Sequence, residues 1–504
     1  MASVIVDLGG RGNKFFNSDK TQFFIKGVAY QRPLQQGAEP SGFVDSLALP
    51  ALCLKDLELF KDLGINCVRV YHIEPTANHD ACMDAFGRHG IYVFVDLPEP
   101  NMTIDRSNPA WDTELLERMH GYTNVIGFIA GNEVVNGYDN TNAAAFVKAA
   151  IRDIKKHIRQ KGYRKIPVGY TSTDDSVTRL DSAQYFVCTD NSTRDSVADF
   201  YGINMFEWCG FSSYRTSGYR ERTMQFNKMP VPVFLSEYGC NTVTPRPFTE
   251  IEALFGPVMS HVWSGGIVYE FFQKENNFGL VEEKPNGHLN KLDDFNTVRL
   301  RLMENSPQGA LQIQAPSEPQ FDVLCPPVSM NWQAQAILPP TPDEVKCECL
   351  QTTLSCILTP YQDVDEHSFL DELCSKTDCA DIMSNATSGE YGKYSGCGLR
   401  QKTSYVLNKY WLENNREPDL CDFQKRAVLI TSTASDGRTC REALGTIDFF
   451  GQPFPSAKKP AESVGKASKE ALLPKTHSNE GVKAPFFQAI WVPLLLLAYL
   501  YLTV

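Results

Sequence analysis

Up to Phe272 the chain alternates two patterns. Short, nearly continuous apolar runs occupy residues 23–30, 67–71, 91–97, 125–133, 166–171, 200–206, 231–237 and 265–272. Between several of them the apolar positions recur every three or four residues, which predicts helices over 52–63 (closed by Gly64), 79–89, 115–122, 143–160 and 248–262. Strands buried on both faces read as unbroken apolar runs, because neither face meets water. Such strands alternating with helices predict an α/β fold, a (β/α)8 barrel of the TIM type.

In such a barrel chemistry gathers at the C-terminal strand ends. Polar residues stand at these ends: Gln31 after the first run, Tyr71 and His72 at the second, Asp96 and Glu99 at the third, Asn132 and Glu133 at the fourth, Glu237 and Tyr238 at the seventh, Tyr269 and Glu270 in the eighth. Two glutamates held about 5 Å apart can cleave a glycosidic bond with retention, one attacking the anomeric carbon and the other acting as acid, then base. Glu133 and Glu237 are the candidate pair. Asn132 beside the acid can bond a sugar 2-hydroxyl, and Tyr71 and Tyr269 can hold the nucleophile. Trp208, Tyr214, Tyr238 and Phe272 are candidate faces for sugar stacking. A lone strand-end Glu is usually a solvated or paired carboxylate; the joint pattern Asn-Glu on one strand and Glu on another is what makes the pair specific. Asp174 and Asp175 read as a turn or helix cap. His72 and His79 have no third ligand at useful spacing, so no metal is expected.

Composition adds the compartment. Of 504 residues 42% are hydrophobic and 21% charged, with a formal net charge of -12, which argues against nucleic acid as a partner. Of the 15 cysteines, eight fall between Cys347 and Cys440. Without metal-type Cys and His spacing, this density reads as a disulfide framework rather than a zinc cluster, and so as an oxidising compartment. Sequons stand at Asn101, Asn191 and Asn385 and agree with secretion. The first residues have neither a basic region nor a long apolar core, so either a missing leader or a misassigned start codon is expected.

Prolines crowd residues 306–342. The expected domains are a barrel over 1–325, a Pro-rich linker over 326–342, a small, mainly helical, cysteine-rich module over 343–446, a disordered stalk over 447–483 and a C-terminal signal over 484–504. That signal is an apolar tail preceded by polar and small residues, the order of a GPI-attachment signal, with Asn479 as candidate site and an earlier one near Ser468 open. A tail-anchored membrane helix is the alternative reading.

Several stretches, read together, resemble one family. Residues 24–31 (FIKGVAYQ), 69–75 (RVYHIEP), 131–134 (GNEV), 202–209 (GINMFEWC), 236–241 (SEYGCN) and 269–273 (YEFFQ) closely resemble the fungal β-1,3-glucanosyltransferases of glycoside hydrolase family 72, over residues 12 to 325. The cysteine-rich module resembles the family 43 carbohydrate-binding module of one subgroup. The resemblance implies Glu133 as acid/base and Glu237 as nucleophile. It implies internal cleavage of a β-1,3-glucan donor and transfer to the non-reducing end of an acceptor β-1,3-glucan, with no cofactor, at a cell surface reached through a GPI lipid. Gln31, Tyr71, Asp96, Asn132 and Tyr269 fall on substrate-contacting positions. Phe206 stands where the family often has tyrosine, which removes a hydroxyl near the nucleophile. The family pattern implies disulfides Cys53–Cys82, Cys188–Cys325, Cys209–Cys240, Cys347–Cys397, Cys349–Cys440, Cys356–Cys421 and Cys374–Cys379, leaving Cys67 a free thiol; spacing alone allows other pairings. An endo-β-1,3-glucan hydrolase with the same glutamates, and a glucan-binding protein without catalysis, are the competing readings.

Overall fold

The computed structural model describes residues 4–5, 13–33, 44–98, 104–189, 194–311, 323–361, 363–430, 440 and 444. Asn101, Asn191, Glu99, the stalk, Asn479 and the C-terminal tail lie outside the described residues.

Eight parallel strands close into a barrel: β1 Ile25–Ala29, β2 Cys67–Val70, β3 Tyr92–Asp96, β4 Val125–Asn132, β5 Val168–Thr173, β6 Tyr201–Cys209, β7 Val233–Cys240 and β8 Trp263–Val268. The ring shuts where β8 pairs with β1, Gly265 opposite Ile25. Helices α1 Pro50–Leu63, α2 Asp80–Arg88, α3 Thr113–Met119, α4 Ala144–Gln160, α5 Arg179–Val187, α6 Tyr219–Phe226, α7 Glu250–Phe255 and α8 Asp293–Glu304 accompany the strands. Three of them, α5, α6 and α8, were not among the helices expected from periodicity. In α6 the buried positions are Tyr219, Arg222, Thr223 and Phe226, a helical stripe half made of polar residues. The α7 helix is shorter than the 248–262 pattern, because Gly256 and Pro257 end it.

The barrel interior is aromatic at its N-terminal end. Phe15, from a hairpin formed by Phe15–Asn17 and Gln22–Phe23, plugs the base. Phe94 and Phe234 stack above it at 5.2 Å, and Phe200 packs edge-on to Phe94 at 5.3 Å. This close packing requires Gly169, since a Cβ there would sit 2.4 Å from the Phe200 ring. Cys67, the free thiol, is buried in the same layer.

The Pro-rich linker is anchored rather than laid loosely on the surface. Trp332 is fully buried against Tyr185 at 5.2 Å, and the Tyr185 hydroxyl donates to the Gln335 carbonyl (2.6 Å). Cys188 and Cys325 join beside it, closing a separation of 137 residues. Because a crosslink removes loop-closure entropy from the unfolded chain, replacing both cysteines with alanine is expected to cost about 4 kcal/mol. Chemical unfolding of the two proteins side by side measures it.

The module is mainly helical: α9 Glu344–Thr353, α10 Glu366–Cys374 and α11 Leu399–Glu413 enclose Leu350, Phe369, Leu373 and Leu407. Asp343 and Asp365 cap α9 and α10 by accepting from Lys346 N and Ser368 N. Bonds join Cys347 to Cys397, Cys349 to Cys440, Cys356 to Cys421 and Cys374 to Cys379. The module rests on the barrel, where Tyr391 packs edge-on to Phe146 of α4 at 6.3 Å, and on the linker, where Gln335 N donates to the Ala386 carbonyl (2.9 Å).

Candidate active site

Alternation along β2 builds the site in layers. Cys67 points into the aromatic plug, so Arg69 points inward one layer higher, and Tyr71 stands above it. Arg69 is fully buried, and its guanidinium forms the floor of the site. It donates from Nε and Nη2 to the two Asp96 oxygens (2.9 and 2.7 Å), from Nη2 to Thr171 Oγ1 (3.2 Å) and from Nη1 to Glu237 Oε1 (3.2 Å). A guanidinium presents a planar fork of donors, so it can hold several acceptors at fixed angles where a lysine could not.

Simple alternation would aim Glu237 outward, since Phe234 faces the interior and Leu235 the helices. A register shift of β7 against β6 between Leu235 and Glu237 turns the carboxylate inward. Tyr71 then donates its hydroxyl to Glu237 Oε1 (2.8 Å). Both donors land on Oε1. Burial pushes the Glu237 carboxyl up to about 7, against the pull of Arg69 and the Tyr71 hydroxyl; the Glu133 charge raises it further.

Glu133 sits just past β4, itself shifted in register against β5 between Ile129 and Asn132. Its backbone is left-handed (φ 50°), a conformation that a non-glycine residue adopts at a cost of about 1–3 kcal/mol. A bond from its N–H to the Thr171 carbonyl (2.9 Å) holds it there. Asn204 of β6 ties the two glutamates into one network. Its Nδ2 donates to Glu133 Oε1 (2.9 Å) and Asn132 Oδ1 (3.2 Å), and its Oδ1 accepts from Ser236 Oγ (2.7 Å), next to Glu237. Thr171 Oγ1 completes the ring by donating to Asn132 Oδ1 (2.7 Å).

Other expected residues have different surroundings. Gln31 bridges Val44 O (2.6 Å) and His72 N (3.1 Å). Tyr269 has Phe206 on one edge (6.1 Å) and Phe278 nearby (5.3 Å), while its carbonyl accepts from Arg246 (2.8 Å). Only Tyr71 of the two tyrosines donates to Glu237 among the described residues. Trp208, Tyr238 and Phe272 are buried, and the Trp208 indole N–H donates to Thr249; these three rings are core, not sugar platforms. Tyr214 is half-buried against the same core. In the barrel, Tyr138 and Phe211 face water, 59% and 84% exposed, on the loops after β4 and β6. Each is flanked by Gly, Ser or Asp, a signal that they are rim residues. Asp175 accepts from Val177 N and Thr178 N ahead of α5, a turn as expected, whereas Asp174 pairs with Arg179 (2.6 Å) and Arg222 (2.8 Å). His79 pairs with Asp45 at 2.6 Å.

Bonds also join Cys53 to Cys82 and Cys209 to Cys240. The second ties the ends of β6 and β7, the strands that carry Asn204 and Glu237.

Residues 3–306 match the Glucanosyltransferase family of glycoside hydrolase 72, and residues 354–428 match the X8 domain. The chain belongs to the glycoside hydrolase 72 glucanosyltransferase family. Relatives include 1,3-beta-glucanosyltransferase PGA5 of Candida albicans, 46% identical over 86% of this chain and 74% of that protein. Another is 1,3-beta-glucanosyltransferase GAS2 of Saccharomyces cerevisiae, 41% identical over 93% of this chain and 88% of that protein. The solved structure of a glutamate-to-glutamine mutant of Saccharomyces cerevisiae Gas2p without ligand superposes with a TM-score of 0.78 at 42% identity, over 88% of this chain and 95% of that one. The same protein in complex with laminaritetraose and laminaripentaose gives 0.77 at 42% identity, over 88% and 98%. Within this family the barrel and the X8 module are thus both accounted for, and the glutamate network lies inside the matched barrel.

Proposed function

We propose that this enzyme is a retaining β-1,3-glucanosyltransferase with Glu237 as nucleophile and Glu133 as acid/base. The observation that carries the reading is the Glu237 carboxylate, gripped on one oxygen by Arg69 and Tyr71, with its chain neighbour Ser236 linked through Asn204 to Glu133. In the first step Glu237 Oε2 attacks the anomeric carbon of an internal β-1,3-glucosyl residue. The glycosidic C–O bond breaks, and Glu133 gives its proton to the leaving oxygen. In the second step Glu133 takes the proton of an acceptor hydroxyl at the non-reducing end of another β-1,3-glucan. That oxygen attacks the anomeric carbon and releases Glu237. The glycosyl chain is lengthened if the acceptor outcompetes water. Gln31, Tyr71, Asp96, Asn132 and Tyr269 are the residues proposed to shape the substrate site, Asp96 by fixing Arg69.

Solved complexes of Gas2p with laminari-oligosaccharides support β-1,3-glucan as donor and acceptor. The protein is proposed to act on wall glucan at the cell surface, held by a GPI lipid at Asn479 or near Ser468 and N-glycosylated at Asn101, Asn191 and Asn385. Asn385 is exposed, with its side-chain oxygen bonded to Thr387 N and Ser388 N.

A reduced β-1,3-gluco-oligosaccharide incubated with the protein tests the activity. Products longer than the substrate are expected on chromatography; products that are only shorter would replace transfer by hydrolysis, and none at all would leave a binding protein.

The Glu237 surroundings also set a pH dependence. The nucleophile must be ionised, and its folded value near 7 lies above that of an exposed glutamate. The kcat/KM profile is therefore expected to fall on the acid side with a midpoint near pH 7. Tyr71→Phe removes a bond that favours the carboxylate, so the midpoint is expected to move to higher pH. A profile in which Tyr71→Phe moves it lower would contradict this assignment. The same group's contribution to stability is full below the ordinary glutamate range and is lost as pH climbs through 7.

A further inference from the structure

The barrel does not hold its own cleft wall alone. Asp105 and Arg106, in the segment that follows β3, line a cleft of about 830 Å³ that reaches Glu133. That size suits a ligand site. Ser384, Asn385 and Ala386 of the module line it as well. The module grips the barrel segment at two successive residues. Leu399 N, at the start of α11, donates to the Ser107 carbonyl (3.1 Å). One turn on, Lys402 Nζ donates to the Arg106 carbonyl (2.8 Å) and lies 3.5 Å from Ser384 Oγ.

Lys402 is only 3% exposed. Burial is costly for an ammonium, and the bonds that Lys402 Nζ makes end on the Arg106 carbonyl and Ser384 Oγ rather than on a carboxylate. Burial lowers it to about 8, while Asp105 pulls the other way and Arg106 adds to the lowering. An apolar side chain would fill the same space without that desolvation. What the lysine adds is a long, charged donor that reaches one particular carbonyl of a neighbouring domain, and charge-assisted bonds are the stronger ones. That carbonyl belongs to a residue that lines the cleft.

We propose that Lys402 is a positioning residue through which the X8 module holds barrel residues 104–108 as a wall of the glucan cleft. The module then acts on the reaction from inside the cleft, rather than as a tethered anchor on distant glucan. The idea rests on the proposed activity only for its choice of substrate.

The test uses the full chain in detergent and a reduced β-1,3-gluco-oligosaccharide, with rates taken from donor consumption. That readout counts transfer and hydrolysis alike, so a failure of the transfer reading appears separately, in the product lengths. Lys402→Met is expected to raise KM about fivefold and to change kcat by less than about twofold. Lys402→Arg, a cation long enough to reach the same carbonyl, is expected to restore KM. Parental KM in Lys402→Met would overturn the proposal, as would a loss that Lys402→Arg does not recover. A fall in kcat and melting temperature with KM unchanged would assign Lys402 to the fold instead and overturn it too. Where Lys402→Met does not accumulate folded, Lys402→Gln keeps an N–H donor without charge. An intermediate rise in KM is then expected, and a parental KM overturns the proposal.

Discussion

Replacing Glu237 with Gln is expected to abolish both longer and shorter products, lowering turnover by on the order of 10⁴-fold or more. The amide is isosteric, and its carbonyl oxygen can still accept from Tyr71 and Arg69, so the network keeps its shape. What it loses is an atom able to form a glycosyl ester. Stability is expected to change little near neutral pH, since burial already disfavours the charged carboxyl. Product chromatography and a thermal melt on one preparation measure both. Turnover within tenfold of the parent would remove Glu237 from the role of nucleophile.

The second large effect concerns Arg69→Met. Arg69 is the sole guanidinium bonded to both Asp96 and Glu237 among the described residues. Removing it leaves Asp96, 5% exposed, as a buried carboxylate without its partner, and breaking such a pair costs about 3–5 kcal/mol. It also frees the Glu237 side chain to leave the geometry proposed for attack, a further expected loss of about 10²-fold in kcat. The double variant Arg69→Met/Asp96→Leu separates the two effects. With neither charge left, most of the stability is expected to return, while activity is not. A single variant that melts within about 2 °C of the parent would show that the pair carries little of the fold.

These expectations depend on particular residues that were legible to different degrees. The eight strands could be read from their apolar runs, because a strand buried on both faces admits few polar residues. Their ends could not: β6 runs on to Cys209 and β7 to Cys240, where the two disulfide-bonded cysteines continue the pairing. The α5 and α6 helices were missed because Arg179 and Arg222, which look like surface residues, are buried against Asp174. Trp332 falls in the Pro-rich linker pattern, and only the fold brings Tyr185 over it.

The glutamates were legible as strand-end residues, yet alternation gave no hint of the two register shifts that aim them. Arg69 was not legible as part of the site, because nothing local to Cys67-Val-Arg-Val announces a charge at the barrel centre. Trp208, Tyr238 and Phe272 were misread for a related reason: an aromatic ring has the same appearance in a sequence whether its face meets sugar or a neighbouring helix.

From the order of residues alone came the periodicities, and with them the barrel, the cysteine-dense module and the two candidate carboxylates, since these depend on local patterns that survive in one dimension. The floor beneath Glu237, the Asn204 bridge to Glu133 and the Lys402 hold on Arg106 came from the folded chain. Each joins residues from 71 to 296 positions apart. Their energies depend on distance, angle and exclusion of water, and none of these exists until the strands close and the module docks.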